Sequence, residues 1–165
     1  MRRRIVVMRH GEALAAGQGS RDRDRRLSEL GRQQTAWVGS RLKELGWVPD
    51  LIIASDAVRT LETTSQLALG LSAAIPFEAH ADLYLGGFDA MAYRVSLLAE
   101  DLATVAVVGH NPGWAEAVAV LSGQPVALNP GDAVLLASRA EQSWGSIAQT
   151  QAWVLEGLIR AQDQR

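Results

Sequence analysis

Two histidines in this sequence follow runs of strand length. His10 comes directly after residues 5–9, and His110 comes directly after residues 104–109, both of which are mostly apolar. An uninterrupted apolar run is typical of a strand that is buried on both faces of a parallel sheet. Ligands of such sheets bind outside the carboxyl ends of the strands, so we expect the two imidazoles to face one ligand site. The alternative is that each histidine ends or caps a strand without a chemical role.

Two arginines are expected at the same place. Arg9 directly precedes His10, and Arg59 lies in the first turn of a helix that Asp56 is predicted to cap. A cation at a helix N-terminus opposes the helix dipole, so we expect Arg59 to share its site with an anion. The alternative is an ordinary ion pair between Arg59 and Asp56 or Glu62.

A polar, arginine-rich stretch covers residues 13–27. Its alternating charges are typical of a solvated surface; alternatively one arginine, Arg25 above all, reaches over the site to meet the substrate. Asp82, in a loop before a predicted helix, is the best-placed acidic residue for donating a proton. The alternative is that Asp82 has an ordinary structural role. His80 is expected to be a surface or loop histidine, because no buried strand precedes it.

These residue types predict phosphoryl chemistry. Forked guanidinium groups bind a phosphoryl group through paired hydrogen bonds. Neighbouring cations disfavour an imidazolium, which keeps His10 neutral and nucleophilic near pH 7. His10 is therefore expected to attack phosphorus and form a covalent phosphohistidine, which water then hydrolyses. His110 and the arginines would stabilise the charge on the equatorial oxygens.

We expect no cofactor and no metal ion. Two histidines among several arginines make a poor cation site, and no carboxylate cluster accompanies them. No strand is followed by the glycine pattern of a P-loop or a dinucleotide fold.

Composition restricts the class of protein further. The 165 residues, 48% of them hydrophobic, fit one domain over 1–165. A formal charge of −2 gives no basic field for nucleic acid, and the absence of cysteine excludes disulfides and thiolate catalysis. No apolar run approaches a membrane span or a signal-peptide core. We expect a soluble, cytoplasmic protein that acts as a monomer.

Strands and helices are predicted to alternate along the chain. A helix capped by Ser28 should end at Gly46, and one capped by Asn111, with Pro112 in its first position, should end at Gly123. The other predicted elements are strands at 51–54, 75–79, 133–137 and 152–155, and helices from Asp56 to Gly70 and from near Asp89. The strand at 152–155 is expected to pair antiparallel with 133–137, whereas Leu158 and Ile159 could instead be helical. This pattern predicts an α/β sandwich with three α/β/α layers and a mostly parallel central sheet.

Four motifs together resemble the histidine phosphatase superfamily. Residues 9–12, Arg-His-Gly-Glu, resemble its RHG signature, and residues 27–31 resemble its Leu-Thr-x-x-Gly helix start. Residues 55–63 are similar to the motif of its second pocket arginine, and residues 109–111 to the motif of its second histidine. The ordered set covers nearly the whole chain, so the resemblance is more specific than the RHG tripeptide alone.

The resemblance implies a phosphoglycerate mutase-like fold and a site in which His10 is phosphorylated beside Arg9, Arg59 and His110. Arg25, Gly11 and Asn111 are implied as substrate-binding residues. The short length and residues 109–113 most resemble the SixA-type branch, which implies a phosphohistidine on a signalling or phosphocarrier protein as substrate. Arg26 stands where proline is usual, and residues 129–132 differ from the common Pro-Thr-Gly type of segment. The alternatives are a small-molecule phosphomonoesterase and a non-catalytic phosphate-binding module.

Overall fold

The computed structural model describes residues 2–164. Its strands join in one six-stranded sheet of order β3-β2-β4-β1-β5-β6. The strands are β1 (Arg4–Arg9), β2 (Leu51–Ser55), β3 (Phe77–His80), β4 (Thr104–Gly109), β5 (Ala133–Ser138) and β6 (Trp153–Ile159). The α-helices are α1 (Glu29–Glu44), α2 (Val58–Leu71), α3 (Phe88–Ser96) and α4 (Gly113–Ser122).

The sheet is mostly parallel, as predicted. The strands β3, β2, β4 and β1 pair in parallel, and only β5 runs in the opposite direction to its neighbours β1 and β6. The antiparallel pairing of β5 with β6 is confirmed. Because β6 continues to Ile159, the helical alternative for Leu158 and Ile159 is wrong.

Helices cover both faces of the sheet, so the predicted three layers are confirmed. Along β1, Val6 and Met8 pack on the side of α1 and α2, whereas Ile5 and Val7 pack on the side of α3 and α4. All four side chains are completely buried. Alternate residues of a strand point to opposite faces, so a short apolar run contributes to both cores and leaves its end free to carry the site.

The starts of the helices agree with the prediction at Ser28 and differ elsewhere. The Ser28 Oγ accepts a hydrogen bond from Gly31 N at 3.0 Å, which confirms the cap of α1. Asp56 does not cap α2, because Ala57 occupies the cap position and the Asp56 carboxylate pairs instead with Arg23 at 3.1 Å. At α4, Pro112 and not the predicted Asn111 stands at the cap position. The helix α3 is capped at Gly87 rather than near Asp89, which lies in its first turn.

Gly70 was expected to end α2, and it does not. The helix continues to Leu71 and ends where Ser72 adopts a left-handed conformation with φ 55°. Gly70 lies where α1 and α2 cross, and a Cβ added there would stand 1.8 Å from the Ala36 carbonyl oxygen. The glycine is therefore required for close helix packing, not for a turn.

Candidate active site

The two predicted histidines lie side by side at the carboxyl end of the parallel strands. Arg9 at the end of β1 is paired with Gly109 at the end of β4, and His10 N donates to the Gly109 carbonyl at 3.0 Å. The centroids of the His10 and His110 rings are 5.3 Å apart. The His10 and His110 residues are only 8% and 2% exposed, so they form the floor of the site.

The hydrogen bonds of His10 determine which ring nitrogen is the nucleophile. Nδ1 lies 2.7 Å from the Gly11 carbonyl oxygen, which can only accept, so Nδ1 carries the proton. Arg59 Nε donates to Nε2 at 3.3 Å, and a guanidinium can only donate, so Nε2 holds the lone pair. Burial, followed by the charges of Arg59, Arg9 and Arg25, lowers the pKa of His10 to about 4. The imidazole is therefore neutral at pH 7.

His110 is held in the opposite tautomer by its own partners. Arg59 Nη2 donates to Nδ1 at 3.3 Å, so the proton is on Nε2, which donates to Ser55 Oγ at 2.6 Å. Ser55 in turn lies 2.7 Å from Thr60 Oγ1, which fixes the hydroxyl at the end of β2. Burial, then the neighbouring His10 and Arg59, lower the pKa of His110 to about 3.

Arg59 is the residue that joins the two rings, as the sequence predicted by placing it at the start of α2. Its guanidinium contacts both imidazoles and is only 3% exposed. The same group binds the 22–24 turn: Nη1 donates to the Asp22 carbonyl at 2.8 Å, and Nη2 to the Asp22 carboxylate at 3.1 Å. The proposed alternative of a pair with Asp56 or Glu62 is not seen, because Asp56 pairs with Arg23, and Glu62 with Arg32.

Arg9 and Asn111 line the opposite wall of the site. Arg9 Nη1 and Asn111 Nδ2 each donate to the Leu128 carbonyl at 2.9 Å. The Asn111 Oδ1 accepts from Ala115 N at 3.2 Å, which ties the wall to the first turn of α4. The buried Nε of Arg9 has no hydrogen-bond partner among the described residues, so it is a donor available to an anion.

Arg25 lines the cavity, and Gly11 does not. Arg25 Nε donates to the Leu14 carbonyl at 2.8 Å, and Nη1 to Asp22 Oδ1 at 3.2 Å. The backbone N–H of Gly11 is bonded to Thr63 Oγ1 at 3.0 Å. Gly11 therefore holds β1 against α2 and is not placed to contact a ligand.

Asp82 is also placed outside the cavity lining. Both of its carboxylate oxygens accept from Arg94 Nε at 3.1 Å, so it ties its 3₁₀ turn to α3. His80 pairs with Glu78 at 3.0 Å, at the edge strand β3, as expected for a histidine without a role in the site.

Sequence reasoning missed Asp22 and Tyr84. The Tyr84 hydroxyl donates to the Asp22 carboxylate, and its ring meets the His110 ring edge-on at 5.4 Å. The hydrogen bond from Tyr84, then those from Arg25 and Arg59, lower the pKa of Asp22 to about 2. No local pattern marks either residue. Ser55, by contrast, directly follows a predicted strand, as the two histidines do.

The cavity above these residues measures about 430 Å³. Its floor is buried and its rim is exposed: the Asp22 side chain is 47% exposed and Leu85 60%. Three arginines and two carboxylates, Glu12 and Asp22, line it. The excess of positive charge suits a tetrahedral oxyanion.

A sequence profile of the histidine phosphatase superfamily (branch 1) matches residues 5–89. The chloroplastic protein At3g52155 of Arabidopsis thaliana, which is uncharacterised, is 32% identical over 172 residues that cover 95% of this chain and 77% of that protein. The chain belongs to the histidine phosphatase superfamily.

Solved structures show that the chain has the fold of the SixA proteins. A structure from Nakamurella multipartitia, described as a phosphohistidine phosphatase SixA, superposes with a TM-score of 0.84 at 24% identity, covering 97% of this chain and 96% of that one. The protein histidine phosphatase SixA complexed with tungstate superposes with a TM-score of 0.82 at 19% identity, covering 98% and 99%. The predicted phosphoglycerate mutase-like architecture is thereby confirmed.

Two further features of the chain concern membranes and metals. Among residues 2–164, no helix is both long and apolar enough to cross a bilayer. Over the same span, no group of three or more histidine and carboxylate side chains is arranged to hold a metal ion.

Proposed function

We propose that this protein is a metal-independent phosphatase that removes the phosphoryl group from phosphohistidine on a signalling or phosphocarrier protein. The observation that carries the proposal is the neutral His10, whose Nε2 lone pair is directed towards Arg59 on the floor of a cationic cavity. The nucleophile and the group that stabilises the anion are thus in contact before the substrate arrives.

The chain's own residues suffice for the proposed reaction. Arg59, Arg9 and Arg25 bind the phosphoryl oxygens, and His10 Nε2 attacks phosphorus while its Nδ1–H stays on the Gly11 carbonyl. Charge that develops on the equatorial oxygens is stabilised by the guanidinium groups, and His110 Nδ1, fixed by the bond of its Nε2 to Ser55, holds Arg59 in place. Water then hydrolyses the phosphohistidine formed on His10.

Two features support a protein substrate. The rim is exposed and carries the apolar side chain of Leu85, so a phosphoryl group presented on a macromolecular surface can reach the floor. The SixA proteins that share this fold are described as phosphohistidine or protein histidine phosphatases.

The test compares kcat/KM for a phosphorylated histidine-carrier domain with kcat/KM for sugar and nucleotide monoesters, each with and without EDTA. We expect the phosphorylated domain to be turned over faster, with no loss in EDTA. Faster turnover of the small esters would replace the proposal with a small-molecule phosphomonoesterase. Binding of phosphate without turnover of any substrate would indicate a binding module, and loss of activity in EDTA would contradict metal independence.

A further inference from the structure

The cavity holds two carboxylates, and only one of them faces the reacting groups. The Glu12 carboxylate accepts a hydrogen bond from Ser28 Oγ at the start of α1. The Asp22 carboxylate accepts from Arg59, the same guanidinium that contacts His10 Nε2 and His110 Nδ1. Asp22 therefore lies one side chain from the nucleophile, at the exposed rim of the cavity.

We propose that Asp22 is the proton carrier of this site: it protonates the leaving group and then accepts a proton from the attacking water. The inference rests on the proposed phosphatase function and assigns the role of proton donor, expected for Asp82, to a residue on the 22–24 turn. Tyr84 positions the carboxylate through its hydroxyl, and Arg23 lies over the Tyr84 ring at 4.4 Å from its centroid.

The groups that face Asp22 explain how a strongly acidic carboxyl can carry a proton. Arg25 from its own loop, Arg59 from α2 and Tyr84 all bind it in the empty site, and its charge also acts on His110. A phosphoryl dianion that takes the two guanidinium groups removes two of these donors and adds a like charge, and both changes raise the pKa of the carboxyl. The aryl phosphates used in the test below are monoesters with a second pKa near 6, so they can bring this proton.

The proposed steps balance. The His10 Nε2 lone pair forms the bond to phosphorus as the bond from phosphorus to the leaving atom breaks; that atom keeps the electron pair and takes the proton of Asp22. Water then attacks phosphorus, one of its protons passes to the Asp22 carboxylate, and the electron pair of the nitrogen–phosphorus bond returns to His10. Asp22 gives this proton to the departing phosphate, and the next substrate supplies another.

A leaving-group series separates proton donation from a structural role. Loss of a general acid slows the departure of a poor leaving group far more than that of a good one. We expect Asp22→Asn to lower kcat/KM for phenyl phosphate by about 10²-fold or more, the usual scale for general acid catalysis. The loss for p-nitrophenyl phosphate should be at least about tenfold smaller.

Matched variants control the experiment. Asp24→Asn changes the next acidic residue of the same turn, which pairs with Arg21 outside the cavity, and should leave both substrates unaffected. Asp22→Glu retains a carboxyl and should recover part of the phenyl phosphate activity. Tungstate binding measured by calorimetry verifies that the Asp22→Asn cavity is intact.

Three results would overturn the inference: equal changes for both substrates, no loss in Asp22→Asn, or a leaving-group-dependent loss in Asp82→Asn. Tighter tungstate binding together with a uniform rate increase would show that Asp22 only competes with the substrate for Arg59. If the phosphoryl label still appears on His10 in these cases, the proposed function stands and only the role of Asp22 fails.

Discussion

At the scale of single residues, the site depends on two imidazoles that stay neutral in a pocket of arginines. His10 and His110 hold opposite tautomers because Arg59 can only donate, while the Gly11 carbonyl and Ser55 accept the remaining N–H groups. Burial is the largest cause of the low pKa of both rings. The pocket therefore keeps Nε2 of His10 unprotonated without a general base beside it.

This arrangement predicts the titration of His10. In the empty protein its ring should titrate near pH 4 instead of near 6.5, because burial and three nearby guanidinium groups disfavour the imidazolium. Binding of tungstate should raise the midpoint, because a dianion favours the charged ring. Nuclear magnetic resonance of the ring, assigned by its loss in His10→Gln, measures both midpoints; an empty-site midpoint at or above 6.5 would contradict the account.

Sequence reasoning found the four residues whose positions follow from regular structure. Arg9, His10 and His110 stand at strand ends, and Arg59 in the first turn of α2, so the topology of a parallel sheet brings them together. Asp22 and Tyr84 lie on loops whose shape depends on contacts between distant segments, and no local pattern reports such contacts. Gly11 was assigned to the site from the RHG motif, and Asp82 from its position in a loop along the chain. Neither argument shows in which direction the N–H of Gly11 or the carboxylate of Asp82 points.

At the scale of elements, the packing of α1 against α2 fixes the position of Arg59. The two helices approach closely at Gly70, where a side chain would collide with the Ala36 carbonyl. Sequence reasoning interpreted this glycine as a helix end, because a glycine after an apolar run is equally typical of a stop. Only the crossing of two helices distinguishes a packing glycine from a terminating one, and the local sequence does not show that crossing.

The close approach predicts the effect of Gly70→Ala. The added methyl group must push the helices apart, so we expect a loss of about 1–3 kcal/mol in the free energy of unfolding, as for other overpacked sites. Gly145→Ala is the matched control, since its Cβ would lie 3.5 Å from Ser143 Oγ, an ordinary contact. Urea denaturation measures both, and a Gly70→Ala protein as stable as the control would contradict the packing argument.

At the scale of the whole molecule, the sheet order β3-β2-β4-β1-β5-β6 puts β1 and β4 next to each other at its centre. The sequence predicted the strands and the mostly parallel sheet, but not this order, because strand order is set by crossover connections and not by any single segment. The central position of these strands explains why the reactive side chains, which follow their ends, are buried. The expectation of a single domain over 1–165 stays a prediction.

Burying two neutral histidines also predicts a pH-dependent stability of the whole fold. In the unfolded chain both rings titrate near 6.5, whereas in the folded protein their pKa values are about 4 and about 3. Below pH 6.5 the unfolded state therefore binds more protons than the folded state, and stability falls as the pH falls. Between pH 7 and 5 the free energy of unfolding should fall more steeply for the wild type than for a His10→Gln/His110→Gln variant, and equal slopes would contradict the buried, neutral rings.

The most direct test of the central claim is to trap the protein during turnover and locate the phosphoryl group. The protein is mixed with a phosphorylated histidine-carrier domain, quenched in alkali within the first turnover, and mapped by mass spectrometry. We predict an acid-labile phosphoryl group on Nε2 of His10, retained in His80→Ala and lost together with turnover in His10→Ala. Turnover without a label on His10, or full activity in His10→Ala, would contradict the account.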